Sequence, residues 1–160
     1  MTANIYMSME GVEVWTPPKM LAEHAGEIPL LSCTWGATNS THRDEVGNIV
    51  DLKDIQVTKL VDPNSVYLLK LVSKGVPVSS VSIKYYKQVG AGAEVFLTIT
   101  LEDVFVKKVM SGMKGSANDH MEEEVSLAYG QIRIEYCPDK EDGTLDGAII
   151  TSVSTAKAGT

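Results

Sequence analysis

The sequence predicts a mainly β fold: an antiparallel β-barrel or pair of packed sheets, with one flanking α-helix at about residues 63–74. Three observations lead there. Apolar and polar residues alternate with period 2 over most of the chain, the pattern of antiparallel strands buried on one face. One stretch, residues 62–77, instead carries the start and stop signals of a helix. Between two strongly alternating runs lies Gly90-Ala91-Gly92-Ala93, a short flexible turn that makes a hairpin.

In chain order, Ile5, Met7 and Met9 share one face of the first strand, with Tyr6, Ser8 and Glu10 on the other. The run from 27 to 36, introduced by His24, reads as a strand that ends in Trp35 and turns at Gly36. Its alternation sends Leu31, Cys33 and Trp35 toward the core and Ser32 and Thr34 to a polar face. Asp62 is a good N-cap because its carboxylate accepts from free first-turn amides, and Pro63 suits the first helical position. Val66, Leu69 and Val72 form a stripe, flanked by Leu68 and Leu71, expected to pack on a sheet; Gly75 and Pro77 end the helix.

Beyond the helix, Val81, Ile83 and Tyr85 alternate with Ser80, Ser82 and Lys84, and Val95, Leu97, Ile99 and Leu101 with Phe96, Thr98 and Thr100. Val125, Leu127 and Tyr129 hold odd positions whereas Ile132, Ile134 and Tyr136 hold even ones. That change of phase predicts a bulge or bend at Gly130-Gln131. Residues 36–48 and 111–121 read as long polar connections without structure of their own. The patch Ala148-Ile149-Ile150 reads as a last edge strand, frayed after about residue 152.

A length of 160 residues fits one domain over 1–160, and 44% hydrophobic with 22% charged residues fits a globular chain. The net charge of −7 argues against nucleic acid or an anionic membrane as the main partner. No apolar run approaches the ~20 residues of a membrane-spanning helix. The N-terminus lacks the basic and apolar segments of a cleavable secretory signal, so synthesis in the cytoplasm is expected, with any export by another route.

Chemistry finds little support in the residue pattern. Cys33 and Cys137 are too far apart for a CxxC motif and are expected to be two independent reduced thiols. No two of His24, His42 and His120 have metal-ligand spacing, and each is expected on the surface or in a loop. A Gly-x-Ser-x-Gly elbow is absent. Glu122, Glu123 and Glu124 alternate faces on a strand and cannot converge on one ion, so a solvated charged edge is expected. Asp139-Lys140-Glu141-Asp142-Gly143 shares only composition with a calcium loop and reads as a polar turn. The expectation is a protein that is not an enzyme, with no cofactor and no metal.

The order of segments resembles the Hcp (haemolysin-coregulated protein) family, the tube subunit of bacterial type VI secretion systems. Ile5-Tyr6-Met7-Ser8-Met9-Glu10-Gly11-Val12 resembles the family's opening strand. His24-Ala25-Gly26-Glu27-Ile28 through Ser32-Cys33-Thr34-Trp35-Gly36 resembles its histidine, acidic-isoleucine and tryptophan-glycine strand. Val57-Thr58-Lys59-Leu60-Val61-Asp62-Pro63-Asn64-Ser65 with Leu68, Leu69 and Gly75 resembles its strand-to-helix unit. Ile99-Thr100-Leu101-Glu102-Asp103-Val104-Phe105-Val106 is similar to its leucine-acidic-x-valine-x-valine strand. Glu123-Glu124-Val125-Ser126-Leu127 and Ile132-Arg133-Ile134-Glu135-Tyr136, with Asp142-Gly143, resemble the closing strands and turn.

The resemblance implies a phage tail-tube-like fold and a structural subunit: homohexameric rings with an open channel, stacked into a tube that a contracting sheath expels. Partners would be the chain itself, the sheath, baseplate and spike proteins, and effectors carried in the channel, with no nucleic acid and no membrane insertion. The protein would begin in the bacterial cytoplasm and be secreted without a cleaved signal. Ser32 and Thr34 would then line the channel. The loop bearing Thr38, Asn39, His42, Arg43, Asp44 and Glu45 would make ring-stacking contacts. The alternative is a tail tube protein of another contractile injection system, or a non-catalytic β-barrel binding or adaptor module.

Overall fold

The computed structural model describes residues 4–16, 24–40, 49–90, 92–112, 115 and 121–154. Among them the chain is mainly β, with strands β1 (Ile5–Met9), β2 (Ile28–Leu30), β3 (Ser32–Thr34), β4 (Ala37–Ser40), β5 (Ile49–Leu52) and β6 (Ile55–Leu60) preceding one helix, α1 (Pro63–Lys74). Strands β7 (Val78–Val89), β8 (Gly92–Ser111), β9 (Glu122–Ala128), β10 (Gln131–Tyr136) and β11 (Ile149–Ser154) follow. Every pairing is antiparallel, in the order β2-β1-β7-β8-β9-β6-β3, with β10 between β8 and β11. The two ends of this order, β2 and β3, are separated in sequence by Leu31 alone. Its N–H donates to the Thr58 carbonyl at 2.7 Å as the chain passes from one half of the sheet to the other. The ladder does not continue across this point, so the sheet is not a closed barrel; it is rolled into two packed halves.

Strand β8 makes the roll possible. One edge pairs with β7 as far as Val104; the other pairs with β10 at Leu97–Glu102 and then with β9 from Phe105 onward. Between these lies Asp103, in the left-handed region at φ 53°. The core phase of β8 shifts there, from Ile99 and Leu101 to Val104 and Val106. The partner chain shifts at the same level: β9 ends at Ala128, β10 starts at Gln131, and the Gly130 N–H donates to the Glu102 carbonyl at 2.9 Å. The change of phase expected at Gly130-Gln131 is therefore a bend at which the chain changes sheet halves.

Between the halves, Met7, Ile28, Ile55, Val57, Val81, Ile83, Ile99, Leu101, Val125 and Leu127 are fully or almost fully buried. These are the inward positions that alternation selects. Burying such side chains stabilises the fold by roughly 1.5–3 kcal/mol each.

The helix occupies the expected span. The Asp62 carboxylate accepts from the Asn64 N–H, the Ser65 hydroxyl accepts from the Asp62 N–H, and Gly75 closes the C-terminus at φ 62°. Its orientation departs from the expected stripe. Leu68 is buried, with Leu71 and Val72 packed on the core, whereas Val66 and Leu69 face solvent. Asn64 sets this rotation: its side chain accepts from the Trp15 N–H (2.7 Å) and donates to the Trp15 carbonyl (3.0 Å), which turns residue 64 inward.

Two connections also differ from expectation. Residues 36–48 are not wholly without structure, because Ala37–Ser40 pairs with β5 as a separate two-stranded hairpin. The β7–β8 register pairs Val89 with Gly92 and Gln88 with Ala93, so Gly92 and Ala93, expected in the turn, are already strand. The edge strand at Ile149 is present and runs to Ser154. The polar turn is also present, with Asp139 bridged to Leu145 and Gly143 at φ 85°.

Candidate assembly surface and the network behind it

Strands β3, β6 and β9 lie side by side and alternate together. Cys33, Val57 and Val125 are mutual neighbours on the core face. The opposite face carries two polar rows: Ser32–Thr58–Glu124 and Thr34–Gln56–Ser126, the second continuing to Lys108 on β8. The Ser32 and Thr58 hydroxyls are 2.6 Å apart. Lys108 Nζ lies 3.6 Å from Glu124 Oε1. Ser126 Oγ is buried without a hydrogen-bond partner among the described residues. Ser32 and Thr34 are exposed on this face.

Their apolar neighbours on the same strand do not behave as expected. Cys33 is half-buried against the core, but Leu31 is 46% and Trp35 44% exposed. The reason is the crossing at Leu31: β3 is a short end strand that among the described residues pairs with β6 alone, and this leaves those two side chains at the edge of the sheet. Burial pushes the Cys33 thiol pKa up, partly opposed by the Tyr85 hydroxyl beside it. Burial, then the same contact, raises Tyr85. Both cysteines are free thiols.

The β4–β5 hairpin projects from the end of β3. Thr38 pairs with Asp51 and Asn39 with Val50, and Thr38 and Asn39 are exposed. Its base is fastened by the Lys53 N–H to the Gly36 carbonyl (2.9 Å) and by the Tyr129 hydroxyl to the Lys53 carbonyl (2.9 Å). Nearby, Lys107 pairs with Asp54 at 3.0 Å. His42, Arg43, Asp44 and Glu45 lie outside the described residues, as does His120.

Behind the polar face lies a buried charged cluster. Glu123 was expected at a solvated edge, yet its side chain is fully buried and paired with the equally buried Lys59 at 2.5 Å. Glu123 Oε1 also accepts from the Ser65 hydroxyl (2.9 Å) and Oε2 from the Ser111 hydroxyl (2.6 Å). Lys59 Nζ also donates to Asp62 Oδ1 and to the Leu60 carbonyl, both at 2.9 Å, and lies 3.2 Å from Ser65 Oγ. The cluster ties two sheet strands, the end of β8 and the helix N-terminus together. The signal was present in the alternation: Lys59 is in phase with Ile55 and Val57, and Glu123 with Val125 and Leu127.

His24, expected on the surface, is buried. Its ring stacks on Tyr6 at 3.9 Å and 3°, meets Tyr86 edge-on at 5.0 Å, and its Nδ1 is 3.4 Å from Glu27 Oε2. The aromatic partners account for the burial, and the histidine packs the turn before β2 onto β1 and β7. Among the described residues no group of three or more His, Cys, Asp or Glu could hold a metal ion.

The features that stand out are thus surfaces: a polar sheet face and a projecting hairpin on a rolled antiparallel sheet with one capped helix. The chain belongs to the Hcp family of type VI secretion proteins, because the family described as "Type VI secretion system effector, Hcp" matches residues 6–136. It is 32% identical over 98 residues to Protein hcp1 of Pseudomonas aeruginosa, a stretch covering 61% of this chain and 60% of that protein. Its fold is similar to the solved structure of a type six secretion system protein, at TM-score 0.82 and 22% identity over 98% of both chains. Hcp1 from Salmonella typhimurium gives TM-score 0.77 at 21% identity, over 98% of this chain and 97% of that one. Secreted protein Hcp3 from Pseudomonas aeruginosa gives 0.68 at 20%, over 94% and 98%.

Proposed function

We propose that this chain is a structural, non-catalytic tube subunit of a type VI secretion system. Six copies close into a ring with a central channel, and rings stack into a tube that is expelled with its cargo. The observation that carries this reading, beside family membership, is the one-sided sheet β3–β6–β9. Its inner face is filled by the core, while its outer face presents the Ser32, Thr34 and Thr58 hydroxyls, the Gln56 amide and the Lys108–Glu124 ion pair. Such a face suits a water-filled channel in which effectors are sheltered without being held tightly.

Ser32 and Thr34 are the channel-lining residues in this reading, and Thr38 and Asn39 on the hairpin meet the next ring together with His42, Arg43, Asp44 and Glu45, which follow them in the sequence. A ring requires a heterologous interface repeated by rotation until it closes. Sheath, baseplate and spike proteins are the remaining partners, and the subunit leaves the cytoplasm through its own machine. Negative-stain microscopy with native mass measurement tests the proposal. Uniform six-subunit annuli are expected; a monodisperse monomer at micromolar concentration would favour a stand-alone binding module instead.

A further inference from the structure

Helix α1 turns an apolar pair away from the core. Val66 is 68% and Leu69 56% exposed. At i, i+3 spacing they stand together on one face. The helix cannot roll to bury them. Asn64 is bound twice to the Trp15 backbone, Asp62 and Ser65 belong to the buried Lys59–Glu123 cluster, and Leu68 is seated in the core. The sequence of the helix adds a charge signature. Pro63–Lys74 contains Lys70 and Lys74 but no Asp or Glu, within a chain whose net charge is −7. Both lysines are exposed, Lys70 directly after Leu69 and Lys74 one turn further on. The outward face therefore combines an apolar ridge with local positive charge on an acidic protein.

We propose that this face docks an acidic amphipathic helix of another protein. Apolar side chains of that helix would cover Val66 and Leu69, as one helix ridge fills another's groove, and its carboxylates would face Lys70 and Lys74. The charge pattern argues against the same helix of a second copy as the occupant, because apposing two such faces brings lysines against lysines. Complementary charge also makes the contact salt-sensitive.

The probe is a synthetic amphipathic peptide with leucine at i, i+3, i+4 and i+7 and glutamate on both flanks. It is titrated calorimetrically into the full chain beside the same peptide with lysine in place of each glutamate. The acidic peptide is expected to bind, more weakly as salt is raised, and the basic one is not. Lys70→Gln with Lys74→Gln, and separately Val66→Ser with Leu69→Ser, should each weaken binding about tenfold while leaving the unfolding midpoint unchanged. Absence of binding by the acidic peptide, equal binding of both peptides, or insensitivity to either pair of substitutions overturns the proposal. So does a peptide-free self-association that Val66→Ser with Leu69→Ser abolishes, which would assign the face to a second copy.

Discussion

Lys59 and Glu123 are Cα partners across the β6–β9 ladder, and their paired side chains are both fully excluded from solvent. A buried ion pair of this kind is worth little over a well-packed apolar pair, but half of it is a liability, because an uncompensated charge remains inside. Lys59→Met, which leaves Glu123 without its cation, should therefore lower the unfolding free energy by about 3–5 kcal/mol, and Glu123→Leu by less, because Lys59 keeps Asp62 at 2.9 Å. The double variant should recover more than half of that loss, measured by urea unfolding at constant slope. A double variant as unstable as the worse single one would show that the surrounding hydroxyls, not the pairing, matter.

Asp103 and Gly130 form the other sensitive contact, at the corner where β8 passes between sheet halves. A Cβ added to Gly130 would lie 3.2 Å from the Asp103 Cβ and 3.6 Å from the Glu102 carbonyl oxygen. Gly130→Ala is expected to cost about 1–3 kcal/mol by overpacking. Asp103→Gly should be neutral or stabilising by up to about 1 kcal/mol, since it releases a left-handed non-glycine residue. In the Asp103→Gly background the alanine should cost clearly less, and a thermal double-mutant cycle reads that coupling. Strict additivity would refute the clash.

These two contacts show where a single sequence is legible and where it stops. The helix span is legible because its start and stop signals are local: Asp62, Pro63 and Gly75 act within their own turns. The helix rotation is not, because Asn64 takes its partner from Trp15, 49 positions away. Ser32 and Thr34 face outward as the alternation implied, but Leu31 and Trp35 do not face inward. The strand breaks at Leu31 and exchanges β1 for β6, and alternation carries no information about which neighbour a strand keeps. Lys59 and Glu123 each broke the apolar rule on a core phase. The registered pairing that makes both tolerable exists only once the strands meet. The β4–β5 hairpin lacks an apolar alternation, and none of its described residues joins the core.

Alkaline pH should weaken the fold through Cys33 and Tyr85. Burial raises both acids, so the folded chain keeps protons that the unfolded chain loses. The contribution is fully present below the unfolded thiol value of 9.0 and declines as pH rises through the folded value, with Tyr85 adding above its unfolded 10.0. Stability measured by urea unfolding should fall as pH rises above 9.0, and more steeply above 10.0, and Cys33→Ala should make the fall shallower. An identical slope in the variant would remove Cys33 from the account.

Ser32→Gln and Thr34→Gln enlarge exposed side chains on the polar face and should shift the unfolding free energy by no more than about 0.5 kcal/mol. If that face lines the channel, both variants should still form rings but retain less effector, read by co-purification with a cargo protein of the same system. Normal retention by both would take Ser32 and Thr34 out of the channel wall.

The hairpin offers the sharpest separation of folding from assembly. Among the described residues strands β4 and β5 pair only with each other, and the Lys53 N–H to Gly36 carbonyl bond below them closes the base without their help. A Gly-Ser turn replacing everything between Ala37 and Leu52 removes the exposed Thr38–Asp51 and Asn39–Val50 pairs and the Lys53–Asp51 ion pair, none of which contributes to the core. A two-stranded hairpin alone is marginal in water, so its loss should move the unfolding free energy by less than about 1 kcal/mol. Rings should still close while stacks shorten, as measured by tube length in negative-stain images at matched concentration. Tubes of unchanged length would exclude the hairpin from the contact between rings; loss of the ring itself would place the hairpin between neighbours within one ring.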